Sequence, residues 1–297
     1  MELYQLKTFV AVAEEGNLSR AAERLFLSQP AVSGQIKALE EELGLSLFLR
    51  TPRGMEPTPA GQMLKQRAEA TLKSAEEFLH QARAVSGQLS GAFRLGHNTD
   101  PEYLRIFRVA QEVQQEHPGI EMELFKSNSG EIRQDLDSGR LDAGYIYGPS
   151  PHPSVQVELL TEPRLLLAMP AAWDENCCTL PLNEVAARGW LWTPPTCPFH
   201  QAVAVFMEDH KAIPNRVLAV DDEDMIATLL KANKGASFLR EDRALDLVAR
   251  GEARIWQGGH LTIPVNVAYL ARRANDPLLR AVLACIRQAW DLPAELR

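Results

Sequence analysis

The sequence predicts an α/β chain in three parts: a small helical head closed by a β-hairpin, one long helix, and two α/β lobes. Three observations predict it. Residues 18–47 read as two short amphipathic helices around a tight turn, followed at once by an alternating run and a second turn. Between Pro59 and Gly91 apolar residues recur in alternating steps of four and three. From Ala92 onward, short apolar runs alternate with helical periods, the pattern of βαβ units.

Composition sets the frame. At 297 residues the chain exceeds one ordinary domain, and 45% hydrophobic with 24% charged residues is a soluble globular balance. No apolar run approaches the ~18 residues of a membrane helix. Glu2, Lys7, Glu14 and Glu15 interrupt the N-terminus, so a cytoplasmic protein without signal peptide or membrane partner is expected. Four cysteines, two adjacent as Cys177-Cys178, read as reduced thiols.

In the head, Leu3, Leu6, Val10 and Ala13 make a first helix ended by Gly16. A second carries Ala21 and Ala22, small enough for a close helix approach. Ser28 then serves as N-cap and Pro30 sits in the first turn, where its missing N–H costs nothing. Val32, Ile36, Leu39 and Leu43 form the buried stripe of the third helix. At 100° per residue, Pro30, Gly34 and Lys37 face the opposite way, with Ser33 on the flank. Such a face suits a DNA major groove; an ordinary amphipathic helix pair is the alternative. Leu47–Arg50 alternates as a strand, Pro52-Arg53-Gly54 turns, and Met55–Pro57 returns. This hairpin carries Arg50 and Arg53 to where cations meet phosphates or the minor groove.

The segment AAERLFLSQPAVSGQIKALEEELGLSLFLRTPRGMEPTPAG resembles the winged helix-turn-helix of LysR-type transcriptional regulators, and the likeness extends back through Leu3–Gly16. It implies double-stranded DNA as partner, at a promoter site with two-fold symmetry. The docking surface is then Gln29, Pro30, Ser33, Gly34, Gln35, Lys37, Arg50 and Arg53. Gln29, Ser33 and Gln35 enter through the resemblance; Lys37 and the arginines follow from charge and placement. Many members carry a long side chain, often Arg, where this chain has Gly34, so that base contact does not transfer.

The charge balance runs the other way. Net charge is −8, and residues 1–58 hold six Lys/Arg against eight Glu. A non-specific phosphate binder would be basic. The positives are placed rather than abundant: Arg20, Arg24, Lys37, Arg50 and Arg53, with Glu40, Glu41 and Glu42 at the far end of the third helix. Modest non-specific affinity and dimeric, sequence-specific docking are expected.

Thr58 and Pro59 open the long helix as N-cap and first residue. Its seam is Leu64, Ala68, Thr71, Ala75, Phe78, Ala82, Val85 and Leu89, widened by Leu72 and Leu79 and ended by Gly87 and Gly91. Four heptads of this kind predict pairing with a second chain; the alternative is a helix lying on its own effector domain. The resemblance implies the first, giving a homodimer or homotetramer.

Strands are predicted at Phe93–Gly96, Ile120–Lys126, Leu141–Tyr147, Val155–Leu160 and Leu165–Met169, with helices at Glu102–His117 and Glu131–Ser138. A second set follows: helix Leu182–Ala187, strand Trp190–Trp192, helix Phe199–Asp209, strand Arg216–Val220, helix Asp224–Asn233 and strand Gly235–Leu239. Strand Val265–Leu270 and helix Pro277–Trp290 close the chain. Two lobes joined near Glu162-Pro163 and Pro264 resemble the periplasmic-binding-protein-like effector domain of the same family. The segments that carry this are Gly139-Arg140-Leu141-Asp142-Ala143-Gly144 and Val220-Asp221-Asp222. The expected division is 1–58 for DNA binding, 59–90 for the dimerising linker, and 91–297 for the effector domain. Its first lobe takes 91–163 and 267–297, its second 164–266.

A ligand of such sheets sits beyond the carboxyl ends of the strands, against helix N-termini. Those points place Asn98, Thr99, Ser127, Asn128, Ser129, Thr196, Cys197, Phe199 and Asp221 at an effector, with Tyr145 as a further wall; as isolated residues the hydroxyl and amide side chains also read as helix caps. The resemblance implies a small organic or amino acid. Asp100, Glu102, Asp221, Asp222, Glu223 and Asp224 crowd the same neighbourhood, which favours a ligand with at most one carboxylate, zwitterionic or with an aromatic part on Phe199 or Tyr145. Asp222 and Glu223 are expected to cap a helix.

No Gly-x-Ser-x-Gly, His-Glu-x-x-His, Gly-x-x-x-x-Gly-Lys or Cys-x-x-Cys occurs. Cys197 and His200 lie three apart, but with Pro198 between them and no third ligand; no catalytic residue, metal or cofactor is assigned. A redox role for Cys197 stays open, since a resolving cysteine cannot be placed. The function expected is a ligand-responsive, DNA-binding transcriptional regulator, with RNA polymerase a further candidate partner. A cytoplasmic small-molecule receptor working through protein contacts is the alternative.

Overall fold

The computed structural model describes residues 1–52, 54–85, 89–127, 129–149, 152–195 and 197–293. Helices α1 (Leu3–Glu15), α2 (Leu18–Leu25) and α3 (Gln29–Leu43) make the head, with a hairpin of β1 (Phe48–Thr51) and β2 (Gly54–Pro57), and α4 (Pro59–Val85) follows. Next come β3 (Gly91–His97), α5 (Ile106–Glu116), β4 (Ile120–Lys126), α6 (Ile132–Asp137), β5 (Ala143–Tyr147), β6 (Val155–Thr161) and β7 (Arg164–Pro170). Then α7 (Leu182–Arg188), β8 (Trp190–Trp192), α8 (Phe199–Asp209), β9 (Arg216–Ala219), α9 (Glu223–Lys231), β10 (Ser237–Arg240) and α10 (Glu241–Ala249). The chain closes with β11 (Ala253–Thr262), β12 (Val265–Leu270) and α11 (Pro277–Ala289).

The head is closed by short-range chemistry. Asn17 and Ser28 cap α2 and α3 through their side chains. Val32, Ile36 and Leu39 bury against Leu6, Phe9 and Val12 of α1; Leu43, expected in that stripe, is 39% exposed at the helix end. Glu40 is not merely an acid at the far end of α3, because its carboxylate accepts from the Leu47 and Phe48 N–H groups at 2.7 and 3.2 Å and so anchors the hairpin. The hairpin leans on the end of α1: a Cβ on Gly54, at φ 132°, would sit 2.2 Å from the Gly16 carbonyl oxygen. Thr58 caps α4 by accepting from the Gly61 N–H at 2.9 Å.

The lobes are two separate sheets. The first is five-stranded in the order β4-β3-β5-β12-β6, with β3 parallel to β4 and β5 and β12 antiparallel to β5 and β6. The second lobe departs from the expected parallel units. Its three-stranded sheet, β10-β7-β11, is antiparallel throughout, while β8 and β9 pair in parallel and Trp190 bridges Ala236 in parallel. Helix α10 and strand β11, which complete this lobe, carry no sequence prediction above. The chain crosses between sheets at 162–163 and 263–264, and β12 joins the first sheet from Val265, where the strand was expected, so the first lobe resumes two residues before the 267 boundary given above. Helix α5 also begins at Ile106, not Glu102, because Arg105 adopts a left-handed conformation at φ 53°. No helix is long and apolar enough to cross a membrane among the described residues.

Candidate functional site

The exposed side of α3 is the one expected. Gln29, Pro30, Gly34 and Lys37 are exposed, Ser33 is half-buried, and a Cβ on Gly34 would meet nothing within 4 Å. Gln35 is also half-buried, since its side-chain oxygen accepts from Thr8 of α1. Lys37 keeps only a 3.5 Å pair to Glu41, with both side chains in water. Arg50 is exposed on β1; Arg53 lies outside the described residues. Arg20 and Arg24 differ from the expectation. Arg24 donates to Glu14 at 2.6 Å and Glu15 at 3.3 Å, and Arg20 sits 3.9 Å from Glu15, so α1 already holds these charges. Phe26, which leads out of α2 with Leu27, caps that helix at φ 54° and is 96% exposed two residues before Ser28.

The seam of α4 divides. Ala68 is buried with Leu64 and Leu72 against the head's own core. Leu89 lies beyond the helix and packs on the lobes. The remaining row leaves Thr71, Phe78, Ala82 and Val85 exposed and Ala75 half-buried. The other side of α4 is clamped to its own first lobe, a contact close to the alternative named above. Lys73, 3% exposed, pairs with Asp142 at the foot of β5. Arg273 joins Asp142 and Asp276 at 2.5 Å each and Glu77 of α4 at 2.8 Å. Burial alone would raise the Asp142 carboxyl, but Lys73 and Arg273 hold it below the ordinary carboxylate range, and Asp276 is likewise held low by His80 and Arg273.

Between the lobes lies a cavity of about 670 Å³. The parallel register of β3 and β4 sets His97 beside Lys126, so Asn98 and Thr99 emerge next to Ser127 and Ser129. The pairing of β8 with β9 brings Thr193 and Cys197 to Asp221 in the same way. Asn98, Thr99, Ser127, Ser129, Cys197, Phe199 and Asp221 all line the cavity; Asn128 and Thr196 lie outside the described residues. Tyr145 is a correction. It is fully buried in the core with Trp290 and Leu283, and Tyr147, one pleat nearer the carboxyl end of β5, lines the cavity instead, edge-on to Phe199 at 4.9 Å. Ser127 spends its hydroxyl on Asp135 at 2.6 Å.

Arg240, buried behind the cavity wall, was not found from sequence. It is fully buried at the end of β10 and reaches across the lobes to Thr99 Oγ1 at 2.8 Å and over the Tyr103 ring at 3.8 Å. Glu223 and Asp242 neutralise it at 2.8 and 2.9 Å. Glu223 therefore does not cap α9; Asp222 does, accepting from the Met225 N–H at 2.7 Å. A lone arginine in an apolar strand carries no periodic signal. Burial foremost, then Asp221, pushes the Cys197 thiol up to about 12, which disfavours the thiolate. His200 is engaged with the Thr193 carbonyl at 2.6 Å, and all four cysteines are free thiols.

Two family models match the chain. The one described as bacterial regulatory helix-turn-helix protein, lysR family, covers residues 3–62; the LysR substrate binding domain covers 86–291. The chain belongs to the LysR family of transcriptional regulators. Members are DNA-binding regulators with an effector-binding domain, not enzymes, and that function holds for this chain. Among relatives, the probable cat1 operon transcriptional activator of Acinetobacter lwoffii is 28% identical over 93% of this chain and 91% of its own. The regulator BenM of Acinetobacter baylyi is 29% identical over 80% of each. CbnR, solved in full length with its target DNA, superposes with a TM-score of 0.68 at 23% identity, covering 97% of this chain and all of its own, and shows the shared fold.

Proposed function

We propose that this LysR regulator docks α3 in the major groove through Gln29, Pro30, Ser33, Gly34 and Lys37. Gln35 supports from the flank, and Arg50 and Arg53 of the hairpin hold phosphates. The observation that carries this is a recognition helix whose small exposed side, without a Cβ at Gly34, lets the backbone come close to base edges. The exposed row Thr71, Ala75, Phe78, Ala82 and Val85 pairs with a second copy, so that two heads meet a site of two-fold symmetry. Dimers or tetramers form this way in the cytoplasm, with RNA polymerase as the downstream partner. A small molecule in the cavity, in contact with Asn98, Thr99, Ser129, Cys197, Phe199 and Asp221, sets the state. Asn128 and Thr196 remain in that set on sequence grounds.

The test is sedimentation with a gel shift on the protein's own upstream DNA. Ala75→Glu with Ala82→Glu places like charges in the pairing row. Monomers that no longer shift the symmetric site are expected; an intact dimer in that variant contradicts the assignment.

A further inference from the structure

The interlobe cavity is poorly suited to the anion that a helix N-terminus would ordinarily attract. Six carboxylates stand on its wall, Asp100, Glu131, Asp221, Asp222, Glu223 and Asp224, against two cations, Lys126 and Arg243. Arg243 is paired with Asp224. The buried Arg240 behind the wall is used up: its Nε and Nη2 groups donate to Asp242 at 2.9 Å, and Nη1 donates to Glu223 and Thr99 at 2.8 Å. Lys126 alone has no carboxylate partner among the described residues of the wall, and it is exposed at the rim. A dianion entering here would find one available cation, while Asp100, Asp221 and Asp222 have no cation paired with them among the described residues and would repel it.

A second observation is independent of charge. The Asn98 side chain donates its Nδ2 group to Ser129, and among the described residues its buried Oδ1 has no donor. A buried acceptor without a donor is costly, so this wall asks for an N–H or O–H from whatever fills the cavity. An ammonium group brings three donors and no acceptor. The edge-to-face pair of Tyr147 and Phe199 offers apolar and π surface beside it.

We infer that the effector of this regulator is a small primary amine carrying no more than one carboxylate, its ammonium placed against Asn98 Oδ1 and the Asp221 carboxylate. This rests on the cavity being the effector site and adds the chemical class. A carboxylate on the same molecule is served by Lys126 at the rim.

The experiment is thermal unfolding and calorimetry of the full-length protein with 1,4-diaminobutane, benzylamine and L-lysine against succinate and citrate. At about 100 times its Kd, a bound amine raises the unfolding midpoint by about 5 °C, while the two carboxylates leave it unchanged. Asp221→Asn and, separately, Asn98→Leu each weaken the amine by about tenfold, the size of one charge-assisted contact. Asp221 is exposed, so its variant reports even where the Asn98 change disturbs folding. An amine whose affinity neither variant changes, or no shift with any amine, overturns the inference. Succinate or citrate binding that Thr99→Val abolishes overturns the amine class and keeps the cleft. Binding of any probe that survives Thr99→Val with Ser129→Ala removes the cleft as well.

Discussion

Two buried arginines organise this molecule, and they are held in opposite ways. Arg273 sits in a closed set: Asp142 and Asp276 are both almost fully buried, Glu77 and Lys73 come from the linker helix, and the interlobe cavity does not reach the group. Arg240 sits in an open one. Its partners Glu223 and Asp242 are 19% and 49% exposed, and Glu223 lines the interlobe cavity. The first cluster fixes the linker helix to the first lobe. The second ties the lobes together through groups that a ligand can reach. A buried charge whose partners are also buried is scaffold, whereas one whose partners border a cavity can be re-paired.

Breaking the closed set should cost most. Arg273→Met removes the cation shared by Asp142, Asp276 and Glu77, leaving Asp142 to Lys73 and Asp276 to His80, and a loss of about 3–5 kcal/mol in denaturant unfolding is expected. Lys73→Met leaves Asp142 with Arg273 and should cost about 1–3 kcal/mol, while loosening α4, which hydrogen exchange in residues 70–82 would register. Arg240→Met should cost about 1 kcal/mol, because Glu223 and Asp242 can turn to water; its larger effect is on lobe closure, read as altered effector affinity. If Arg240→Met proves as destabilising as Arg273→Met, the contrast between the two sets is wrong.

Acid sharpens the same comparison. Asp142 and Asp276 titrate below the ordinary value of 3.8 in the folded chain. The unfolded chain therefore takes up these protons first as pH falls. The stability they confer is complete well above 3.8 and is lost as pH drops from there through their folded values. Removing the cations of Arg273 should flatten that acid limb in an unfolding series between pH 5 and 2, and an unchanged slope would argue against the cluster.

The head was legible in the sequence because its signals are local. Ser28, Pro30, Thr58 and the stripe from Val32 to Leu39 are caps and periods that tertiary contacts did not override. The cavity was half legible: strand ends named Asn98, Thr99, Ser129 and Cys197 correctly as wall residues, yet could not tell Tyr145 from Tyr147, which share a face of β5 and differ only in depth. The linker seam misled for a physical reason. One heptad pattern serves two masters, the head's core at Ala68 and an exposed row from Thr71 to Val85. Long-range ion pairs such as Lys73–Asp142 leave no periodic trace, so neither arginine cluster could be read beforehand.

On the proposed function, α3 reads DNA with few, well-placed groups on an acidic protein. Fluorescence anisotropy of the full-length protein on its own upstream DNA and on random DNA, across a salt series, tests it most directly. The expected outcome is a specificity ratio of at least about 10³, a salt slope that falls by about one unit in Lys37→Ala, and a ratio that shrinks in Ser33→Ala while non-specific affinity holds. Equal affinity for both DNAs, or a slope untouched by Lys37→Ala, would contradict it.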